Sequence, residues 1–328
     1  MKKIVCFGVR EFEIPYFNEI GNEKGVEFIL HSTFQTNDIV ELSDGYEAII
    51  VRGNCFIDHE AMIKLNNQGM KYILGRSVGY NHLDVKTCKE LGMKICNVPS
   101  YSPNAIGELA VTLAMMLLRN TAYTVNRTSN KDFRIDNQMF SREIRKSTVG
   151  IIGCGHIGYT TAKLFEGLGA NVIVYNRSQK KDVKYVSLDE LVEKSDIISI
   201  HMPYFKEKNH HFINKELIEK MKNNVIVVNT ARGDLINTND LLDALENNKI
   251  YGAALDVLEG ENDFFFKKHE ELSDFHQRIV DLYPKLLVTP HVGASTEEAL
   301  KNMIEFSIEN YEEYLKTGDC KNSLYDKV

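Results

Sequence analysis

The run Thr148-Val-Gly-Ile-Ile-Gly-Cys-Gly-His-Ile-Gly158 decides the fold, because it joins an apolar stretch to a helix-like segment through spaced glycines. Gly153 allows a tight turn, Gly155 lets backbone approach a pyrophosphate, and Gly158 lets the helix pack closely on the strand. The N-terminus of that helix favours the negative charge of the phosphates. Strand, turn and helix start together predict a dinucleotide-binding βαβ unit.

The composition is that of an ordinary globular protein. The chain has 328 residues, of which 43% are hydrophobic and 26% charged, and its formal net charge is −7. This length accommodates two domains with separate cores. The negative charge argues against a nucleic-acid-binding surface, and no stretch approaches the roughly 18 apolar residues that span a bilayer. We therefore predict neither a nucleic acid nor a membrane as a partner.

The cysteines carry no sign of a metal site or of a disulfide framework. They are scattered along the chain without a CxxC pair, at Cys6, Cys55, Cys88, Cys96, Cys154 and Cys320. A cytoplasmic protein with reduced thiols is the simplest interpretation. The sequence predicts no bound metal.

Short runs rich in Ile and Val alternate with helical patterns along the whole chain. The predicted strands of a first unit are residues 3–9, 48–51, 72–74 and 94–98, and those of a second unit are residues 148–152, 171–175, 197–201, 225–229, 252–257 and 286–289. The runs show little polar alternation, which is typical of parallel strands buried on both faces. Alternation with helices implies right-handed crossovers and a doubly wound sheet.

The position of the glycine turn sets the domain boundaries. About 100 residues of α/β pattern precede the glycine-bearing strand, so the nucleotide domain lies in the middle of the chain. We predict a nucleotide-binding Rossmann domain at 102–299 and a substrate domain formed by 1–101 with 300–328. Residues 108–118 are predicted as a long buried helix, and a helix near 296–315 returns the chain to the first domain. The predicted fold class is α/β, with two doubly wound parallel-sheet (Rossmann/flavodoxin-like) lobes and a cleft between them.

Three polar residues follow predicted strands of the second unit. Arg232 follows the strand at 225–229, Glu261 the strand at 252–257, and His291 the strand at 286–289. Taken singly, each has a simpler structural explanation: Arg232 as a surface cation, Glu261 as a solvated acid and His291 as a core histidine. The carboxyl ends of parallel strands share one edge, however, and ligands bind there. We therefore predict that these side chains meet at the edge that bears the glycine turn.

This set of side chains fits hydride transfer to a 2-oxo acid. An arginine binds the carboxylate and carbonyl oxygen of such an acid in a bidentate manner. Hydride arriving at the carbonyl carbon generates an alkoxide, for which histidine is the usual proton donor near neutral pH. A carboxylate beside the histidine stabilises its charged form. The nicotinamide would supply the hydride.

Five motifs make the chain resemble the D-2-hydroxyacid dehydrogenase family over essentially its full length. They are the glycine run, Asn229-Thr-Ala-Arg-Gly-Asp-Leu-Ile-Asn-Thr, Ala253-Ala-Leu-Asp-Val-Leu-Glu-Gly-Glu, Thr289-Pro-His and Asn97-Val-Pro-Ser-Tyr-Ser-Pro-Asn-Ala-Ile-Gly-Glu-Leu-Ala. Within the family, the chain is most similar to bacterial D-lactate dehydrogenases, including the vancomycin-resistance type, and to (R)-2-hydroxyglutarate dehydrogenase. The resemblance implies NAD(P)H-dependent reduction of a 2-oxo acid to the (R)-2-hydroxy acid, with pyruvate and D-lactate as the leading pair.

The resemblance also implies roles for individual residues. Arg232 is expected to anchor the substrate, Glu261 to partner the acid, and His291 to act as acid/base. Backbone N–H groups of Ser77, Val78 and Gly79 are expected to bind the substrate carboxylate, with Tyr101 closing the pocket. The expected cofactor-binding residues are Gly153, Gly155, His156, Ile157, Gly158, Asn176, Arg177, Ser178, Pro203, Thr230, Ala231 and Asp256, the last lying near the nicotinamide amide.

One departure from the family pattern concerns the cofactor. The family commonly has an acidic residue after the second nucleotide strand, where it binds the ribose 2′-OH of NAD. Here that strand is followed by Asn176, Arg177 and Ser178, and then by Gln and two Lys. These side chains suit a 2′-phosphate, which a carboxylate would repel. We expect NADP(H) or NAD(H), with a preference for NADP(H); a plain basic surface turn is the alternative.

Arg52 bears on the choice of substrate. It follows the predicted strand at 48–51, in an Arg-Gly-Asn-Cys-Phe run shared with the similar 2-hydroxyglutarate dehydrogenases. Arg52 is expected either to bind the distal carboxylate of a dicarboxylic 2-oxo acid or to form a salt bridge with a neighbouring acid. An (R)-2-hydroxyglutarate dehydrogenase or a broad-range (R)-2-hydroxyacid dehydrogenase is therefore an alternative to the lactate enzyme.

Two other points remain open on sequence. Transcriptional corepressors share this fold, so a non-catalytic nucleotide-sensing protein is a remote alternative, against which the negative charge argues. The apolar helix at 110–118 suits a subunit interface, and we predict a homodimer.

Overall fold

The computed structural model describes residues 2–179 and 182–327 and divides into two compact units. Unit 1 comprises Met1–Ser102 with Ser295–Val328, and unit 2 comprises Pro103–Ala294. The second division falls at 294/295, where the sequence places it at 299/300. The difference arises because Thr296 already caps the last helix, accepting a hydrogen bond from the N–H of Ala299. Lys180 and Lys181, in the predicted cofactor turn, lie outside the described residues, as do both chain ends.

All strands of the described ranges belong to two parallel sheets. They are β1 Lys2–Cys6, β2 Val26–Leu30, β3 Ala48–Val51, β4 Tyr72–Gly75, β5 Lys94–Asn97, β6 Thr148–Ile152, β7 Asn171–Tyr175, β8 Ile197–Ile200, β9 Ile226–Asn229, β10 Gly252–Leu255 and β11 Leu286–Val288.

Helices alternate with these strands. They are α1 Ile14–Lys24, α2 Thr36–Leu42, α3 His59–Asn67, α4 Val85–Glu90, α5 Pro103–Leu118, α6 Thr121–Ser129, α7 His156–Gly167, α8 Leu188–Lys194, α9 Lys206–Asn209, α10 Lys215–Lys220, α11 Thr238–Glu246, α12 Glu261–Phe264, α13 Asp274–Asp281 and α14 Glu297–Thr317.

The sheet of unit 1 has five strands in the order β2-β1-β3-β4-β5. The strand order reverses between β1 and β3, which is the point where ligands bind in open α/β sheets. One face of the sheet packs on α14, whose Ile304, Ile308 and Tyr311 share a core with strand residues such as Ile4 and Ile50. The C-terminal helix therefore completes the core of the N-terminal sheet.

The sequence-based strand assignment was wrong at β2. Val26–Leu30 pairs with β1 along its full length, yet it was not among the predicted strands. Only Val26 is fully buried, because β2 is the edge strand and its residues alternate less clearly between core and solvent. β1 also ends earlier than predicted, at Cys6, and Gly8 then turns the chain with φ +67°.

The sheet of unit 2 has six parallel strands in the order β11-β10-β9-β8-β6-β7. The order reverses at β6, between β7 and β8, so the glycine turn after β6 stands at the switch point. The prediction of two doubly wound parallel sheets is confirmed. α5 lies against this sheet and buries Ala110, Leu113, Ala114 and Leu117 in its core.

The helices that the structure describes fall short of what crossing a membrane requires, with one bent pair as the exception. Over the described ranges, no single helix is long and apolar enough to cross, and only the α5–α6 pair, bent by 69°, meets the criteria of length and composition together.

Candidate active site

The glycine turn after β6 is fixed by close packing at two of its three glycines. Gly153 has φ +90°, and a Cβ there would lie 2.6 Å from the backbone nitrogen of Met202 after β8. A Cβ on Gly158 would lie 1.9 Å from the carbonyl oxygen of Gly153, so no larger residue fits between helix α7 and the turn. A Cβ on Gly155 would meet nothing within 4 Å. The turn is therefore closed toward the protein and open at Gly155.

This open position fits a nicotinamide dinucleotide. Gly155 is the N-cap of α7, and His156 and Ile157 form the first turn of that helix, where N–H groups lack helical partners. Other predicted cofactor residues lie at the same carboxyl edge: Pro203 follows β8, and Thr230 and Ala231 follow β9. The edge thus provides backbone donors for a pyrophosphate at the switch point of the sheet.

Asn176, directly after β7, ties the second strand to the glycine turn. Its side-chain oxygen accepts a hydrogen bond from the N–H of Cys154 at 3.0 Å, and its amide nitrogen donates to the carbonyl of Ser178 at 2.6 Å. Arg177 and Ser178 are exposed. The nearest following carboxylate, Asp182, is bound to Tyr159 and Lys163 of α7. Among the described residues, the groups that follow β7 directly are therefore the amide of Asn176 and the guanidinium of Arg177, not a carboxylate.

The loop after β9 positions Arg232 through buried backbone contacts. The Asn229 side chain is fully buried, donates to the carbonyl of Arg232 at 2.8 Å and accepts from the N–H of Ala231 at 3.0 Å. A Cβ on the following Gly233 would lie 2.1 Å from the carbonyl carbon of Leu258. Only glycine lets the arginine loop pack this closely on the loop that leads to Glu261.

Asp256, after β10, holds the loop that carries His291. Its carboxylate accepts hydrogen bonds from the Thr289 hydroxyl at 2.6 Å and from the N–H groups of Val292 and Gly293, both at 2.8 Å. Burial raises the pKa of Asp256, and these hydrogen bonds offset only part of that rise. The sequence assigns Asp256 to the nicotinamide amide; its contacts within the chain show that it also fixes the His291 loop.

His291 and Glu261 are in direct contact. Nδ1 of His291 lies 2.5 Å from Oε1 of Glu261, and the other carboxylate oxygen accepts from the N–H of Leu258 at 3.0 Å. The imidazole is 38% exposed and the carboxylate 18%. His291 has φ +52°, a conformation that costs energy outside glycine and is often found at functional sites. Because Nδ1 faces the carboxylate, Nε2 is the ring nitrogen available to exchange a proton.

The predicted substrate residues of unit 1 lie in two loops of that unit. In the first loop, the Ser77 hydroxyl donates to the carbonyl of Gly79 at 2.7 Å, and Asn97 donates to the carbonyl of Val78 at 2.6 Å. The carbonyls of this turn are thus held by the unit's own side chains. In the second loop, the carbonyl of Tyr101 accepts from Asn302 of α14 at 2.6 Å.

Arg52 belongs to a group of three arginines that surround one carboxylate at the carboxyl edge of the unit 1 sheet. Arg76, after β4, is buried against Glu13, with 2.9 Å between Nη1 and Oε1. Burial and the charges of Arg10 and Arg76 lower the pKa of Arg52 to about 10, while Glu13 acts in the opposite direction. Arg76 forms the salt bridge to Glu13, and both roles expected for Arg52 stay predictions. The three guanidinium groups outnumber the one carboxylate, so the cluster carries an excess of positive charge.

The residues that hold these loops were not predicted from the sequence. Asn229, Gly233 and Thr289 lie inside the motifs, but no role was predicted for them. The Asn229 side chain binds a residue 2 positions away in sequence, and the Thr289 side chain binds one 33 positions away. The glycine signal was present in Arg-Gly-Asp, since a glycine after a candidate anchor indicates close backbone packing.

Comparison with known proteins gives consistent results. Residues 111–293 match the family model described as D-isomer specific 2-hydroxyacid dehydrogenase, NAD binding domain. The chain is 38% identical to a D-2-hydroxyacid dehydrogenase (NAD(+)) of Clostridioides difficile and 38% identical to a D-lactate dehydrogenase of Lactiplantibacillus plantarum, in each case over 98% of this chain and 99% of the relative. The solved structure of a D-2-hydroxyisocaproate dehydrogenase aligns with TM-score 0.89 and 32% identity, over 98% of this chain and 99% of that one.

Proposed function

Because this chain belongs to the D-isomer-specific 2-hydroxyacid dehydrogenase family, we propose that it reduces a 2-oxo acid to the D-2-hydroxy acid with a nicotinamide cofactor. The observation that carries the proposal is the 2.5 Å contact between His291 and Glu261, on the same sheet edge as Arg232 and the glycine turn. This edge combines a proton donor, an anion anchor and backbone donors for a dinucleotide.

Each polar side chain has a distinct task in the proposed reaction. The Arg232 guanidinium binds the substrate carboxylate and polarises the carbonyl through its planar pair of donors. His291 donates a proton to the developing alkoxide, and Glu261 holds the imidazole in place and stabilises its positive charge. The bound nicotinamide supplies the hydride. In unit 1, backbone N–H groups of residues 77–79 bind the carboxylate and Tyr101 covers the substrate.

For the cofactor, we propose that NADPH serves at least as well as NADH. The support is the Asn176-Arg177-Ser178 turn, where an exposed cation and a neutral amide stand in place of a carboxylate. A charge-assisted hydrogen bond from Arg177 to a 2′-phosphate contributes about 1.5–3 kcal/mol.

For the substrate, pyruvate is the leading proposal, and the similarity to the Lactiplantibacillus plantarum D-lactate dehydrogenase supports it. A dicarboxylic 2-oxo acid is a second candidate, favoured by the arginine cluster of unit 1. Arg10, Arg52 and Arg76 stand after β1, β3 and β4, around the single carboxylate of Glu13. Three guanidinium groups exceed this one carboxylate by two charges, so one further anion would offset part of the excess at the switch point of the sheet.

The test is a kinetic panel of pyruvate, 2-oxobutyrate, phenylpyruvate and 2-oxoglutarate, each with NADH and with NADPH, followed by chiral chromatography of the product. The proposal predicts saturable turnover and a D-configured product. Absence of turnover with all four acids, or an L-configured product, contradicts it.

An Arg52→Met variant separates the two substrate candidates. If the arginine cluster binds a distal carboxylate, kcat/KM for 2-oxoglutarate falls by about tenfold or more while that for pyruvate changes little. Equal effects on both acids exclude the dicarboxylate proposal and leave the dehydrogenase proposal intact.

We also propose a homodimer built on unit 2. Val125, Phe133, Ile135 and Phe140 are 57–83% exposed. Val125 lines a groove together with residues of α5 and α6 such as Met115 and Thr124, and Met139, which precedes Phe140, lines it as well. Exposed aromatic side chains and an apolar groove on the same unit are the kind of surface that pairs reciprocally across a two-fold axis. Light scattering should give twice the mass of the chain, and Phe133→Asp with Phe140→Asp should give a monomer; a monomeric wild type contradicts the proposal.

A cytoplasmic location is proposed on the state of the cysteines. All six are buried free thiols. A disulfide-poor protein of this kind is typical of a reducing compartment. Thiol titration of the purified, denatured protein should give six reactive thiols per chain, and fewer would count against this location.

A further inference from the structure

Three metal-ligating side chains of unit 2 stand together outside the proposed catalytic set. His210 and His211 follow α9, and Glu259 lies two residues before Glu261. One ring nitrogen of each histidine and one carboxylate oxygen of Glu259 lie within 4.8 Å of one another. The proposed reaction assigns no task to any of the three. We propose that His210, His211 and Glu259 form a binding site for a divalent transition-metal ion of the zinc class.

The backbone already holds these groups close together. Nε2 of His211 lies 2.8 Å from Oε1 of Glu259, and the two imidazole rings stack with 3.8 Å between their centroids. His211 has φ +52°, and its N–H donates to the carbonyl of Asp234 at 2.9 Å. The left-handed residue turns consecutive rings to the same side. Two loops are therefore held so that both histidines face one carboxylate.

The donor set suits zinc. Two imidazole nitrogens and one carboxylate oxygen are three of the ligands that zinc binds at about 2.0–2.2 Å, with water in the fourth position. Tetrahedral coordination separates ligand atoms by about 3.3 Å. To bind zinc, the 2.8 Å distance between Nε2 of His211 and Oε1 of Glu259 must lengthen slightly, and the longer distances of up to 4.8 Å between ligand atoms must shorten. Rotation of these partly exposed side chains permits both changes.

Surrounding groups supply orientation and negative charge. The Tyr204 hydroxyl lies 3.1 Å from Nδ1 of His210 and can orient that ring. Burial raises the pKa of Tyr204, and the nearby carboxylates of Asp234, Glu259 and Glu207 raise it further. The same carboxylates attract a cation. The lysines of α9, Lys206 and Lys208, are exposed and oppose this attraction only through solvent.

The experiment is calorimetric titration of the full chain with zinc chloride, without substrate or cofactor. Variants His210→Gln, His211→Gln and Glu259→Gln remove one ligand each. His59→Gln is the matched control, because His59 of unit 1 also faces a carboxylate, with Nδ1 3.8 Å from Asp84. Far-ultraviolet circular dichroism checks that every variant is folded. Because the His210 ring is exposed, His210→Gln should leave the packing of the core unchanged.

We expect one zinc per chain for the wild type and His59→Gln, and affinity at least about tenfold lower for each of the three ligand variants. Cobalt should give visible d–d absorption in the wild type that is lost in His210→Gln. Absence of saturable binding overturns the proposal, as does equal affinity in wild type and ligand variants. Because no turnover is measured, either result is independent of the proposed dehydrogenase activity.

Discussion

The two edges of the unit 2 sheet differ in how their charged groups meet solvent. At the carboxyl edge, the His291 side chain is 38% exposed and touches Glu261. At the amino edge, the Asp196 side chain is 8% exposed and binds Arg142 at 2.5 Å and Lys222 at 3.0 Å. Asp196 also accepts a hydrogen bond from the N–H of Thr148, the first residue of β6. The charged groups of the carboxyl edge are accessible to a ligand, whereas the carboxylate of the amino edge is buried and binds residues that flank the strands.

The difference shows why an ion pair alone does not identify a site. Burial alone would raise the pKa of Asp196, but the hydrogen bond from Thr148 and the contacts with Lys222 and Arg142 outweigh it, and the pKa is lowered. All of its partners belong to the chain, so no ligand is needed. At the carboxyl edge, His291 keeps one ring nitrogen for exchange and stands in a left-handed backbone conformation. Exposure and strain, rather than charge, distinguish the edge proposed for catalysis.

The largest effect is expected from His291→Gln, which removes the proposed proton donor. We expect kcat to fall by about 10²- to 10⁴-fold, the usual contribution of general acid–base catalysis. Cofactor affinity, measured by NADH fluorescence, should change little, because the glycine turn belongs to a different loop. A variant with more than a tenth of wild-type kcat would show that another group donates the proton.

Asp196→Asn tests the opposite edge. The amide cannot pair with Arg142 and Lys222 as a carboxylate does, so we expect a loss of about 1.5–3 kcal/mol in the free energy of unfolding. Urea denaturation at pH 7 measures this change. Lys220→Ala, which removes an exposed pair with Asp189, is the control and should cost less than about 1 kcal/mol.

The pH dependence of this loss follows from the lowered pKa of Asp196. A depressed folded pKa adds stability above the ordinary aspartate pKa near 3.9, and that stability disappears as pH falls through the folded pKa. The difference between wild type and Asp196→Asn should therefore stay constant from pH 7 to 5 and shrink below about 4. A difference that grows on acidification would contradict the assigned charge state.

The smallest effect concerns cofactor choice at the end of β7. Asn176→Asp combined with Arg177→Ala removes a cation and adds repulsion toward a 2′-phosphate. The NADPH-to-NADH ratio of kcat/KM should fall by about ten- to a hundredfold, with no comparable loss of NADH-dependent turnover. A wild type that strongly prefers NADH refutes this interpretation of the turn and leaves the dehydrogenase proposal unaffected.

The sequence predicted the regular part of the fold well and its edges less well. Parallel strands buried on both faces are continuous apolar runs, so β6 and β7 match their predicted bounds. β2 was missed because a half-exposed edge strand lacks that run. Some predicted strands were too long because the apolar pattern continues into the following loop. The strand predicted to reach Val257, for example, ends at Leu255.

The sequence proposed the residues of the candidate site and the pairing of Glu261 with His291, but not the contacts that hold their loops. Strand order alone brings Arg232, Glu261 and His291 to one edge, so the motifs were sufficient to propose them. The clamp from Asp256 to Val292 and Gly293 spans 36 and 37 residues and depends on how two loops fold back. Likewise, the proximity of Glu259 to His211 could not be predicted, because His211 lies in none of the motifs and 48 residues separate the two along the chain.

The most direct test of the comparison measures kcat with pyruvate and the free energy of unfolding for both His291→Gln and Asp196→Asn. We expect opposite outcomes for the two variants. His291→Gln should lose at least about a hundredfold in kcat and keep its stability, whereas Asp196→Asn should lose stability and keep kcat within about twofold at 15 °C. If both variants lose turnover to a similar degree while folded, or if His291→Gln loses only stability, the assignment of the chemistry to the carboxyl edge is wrong.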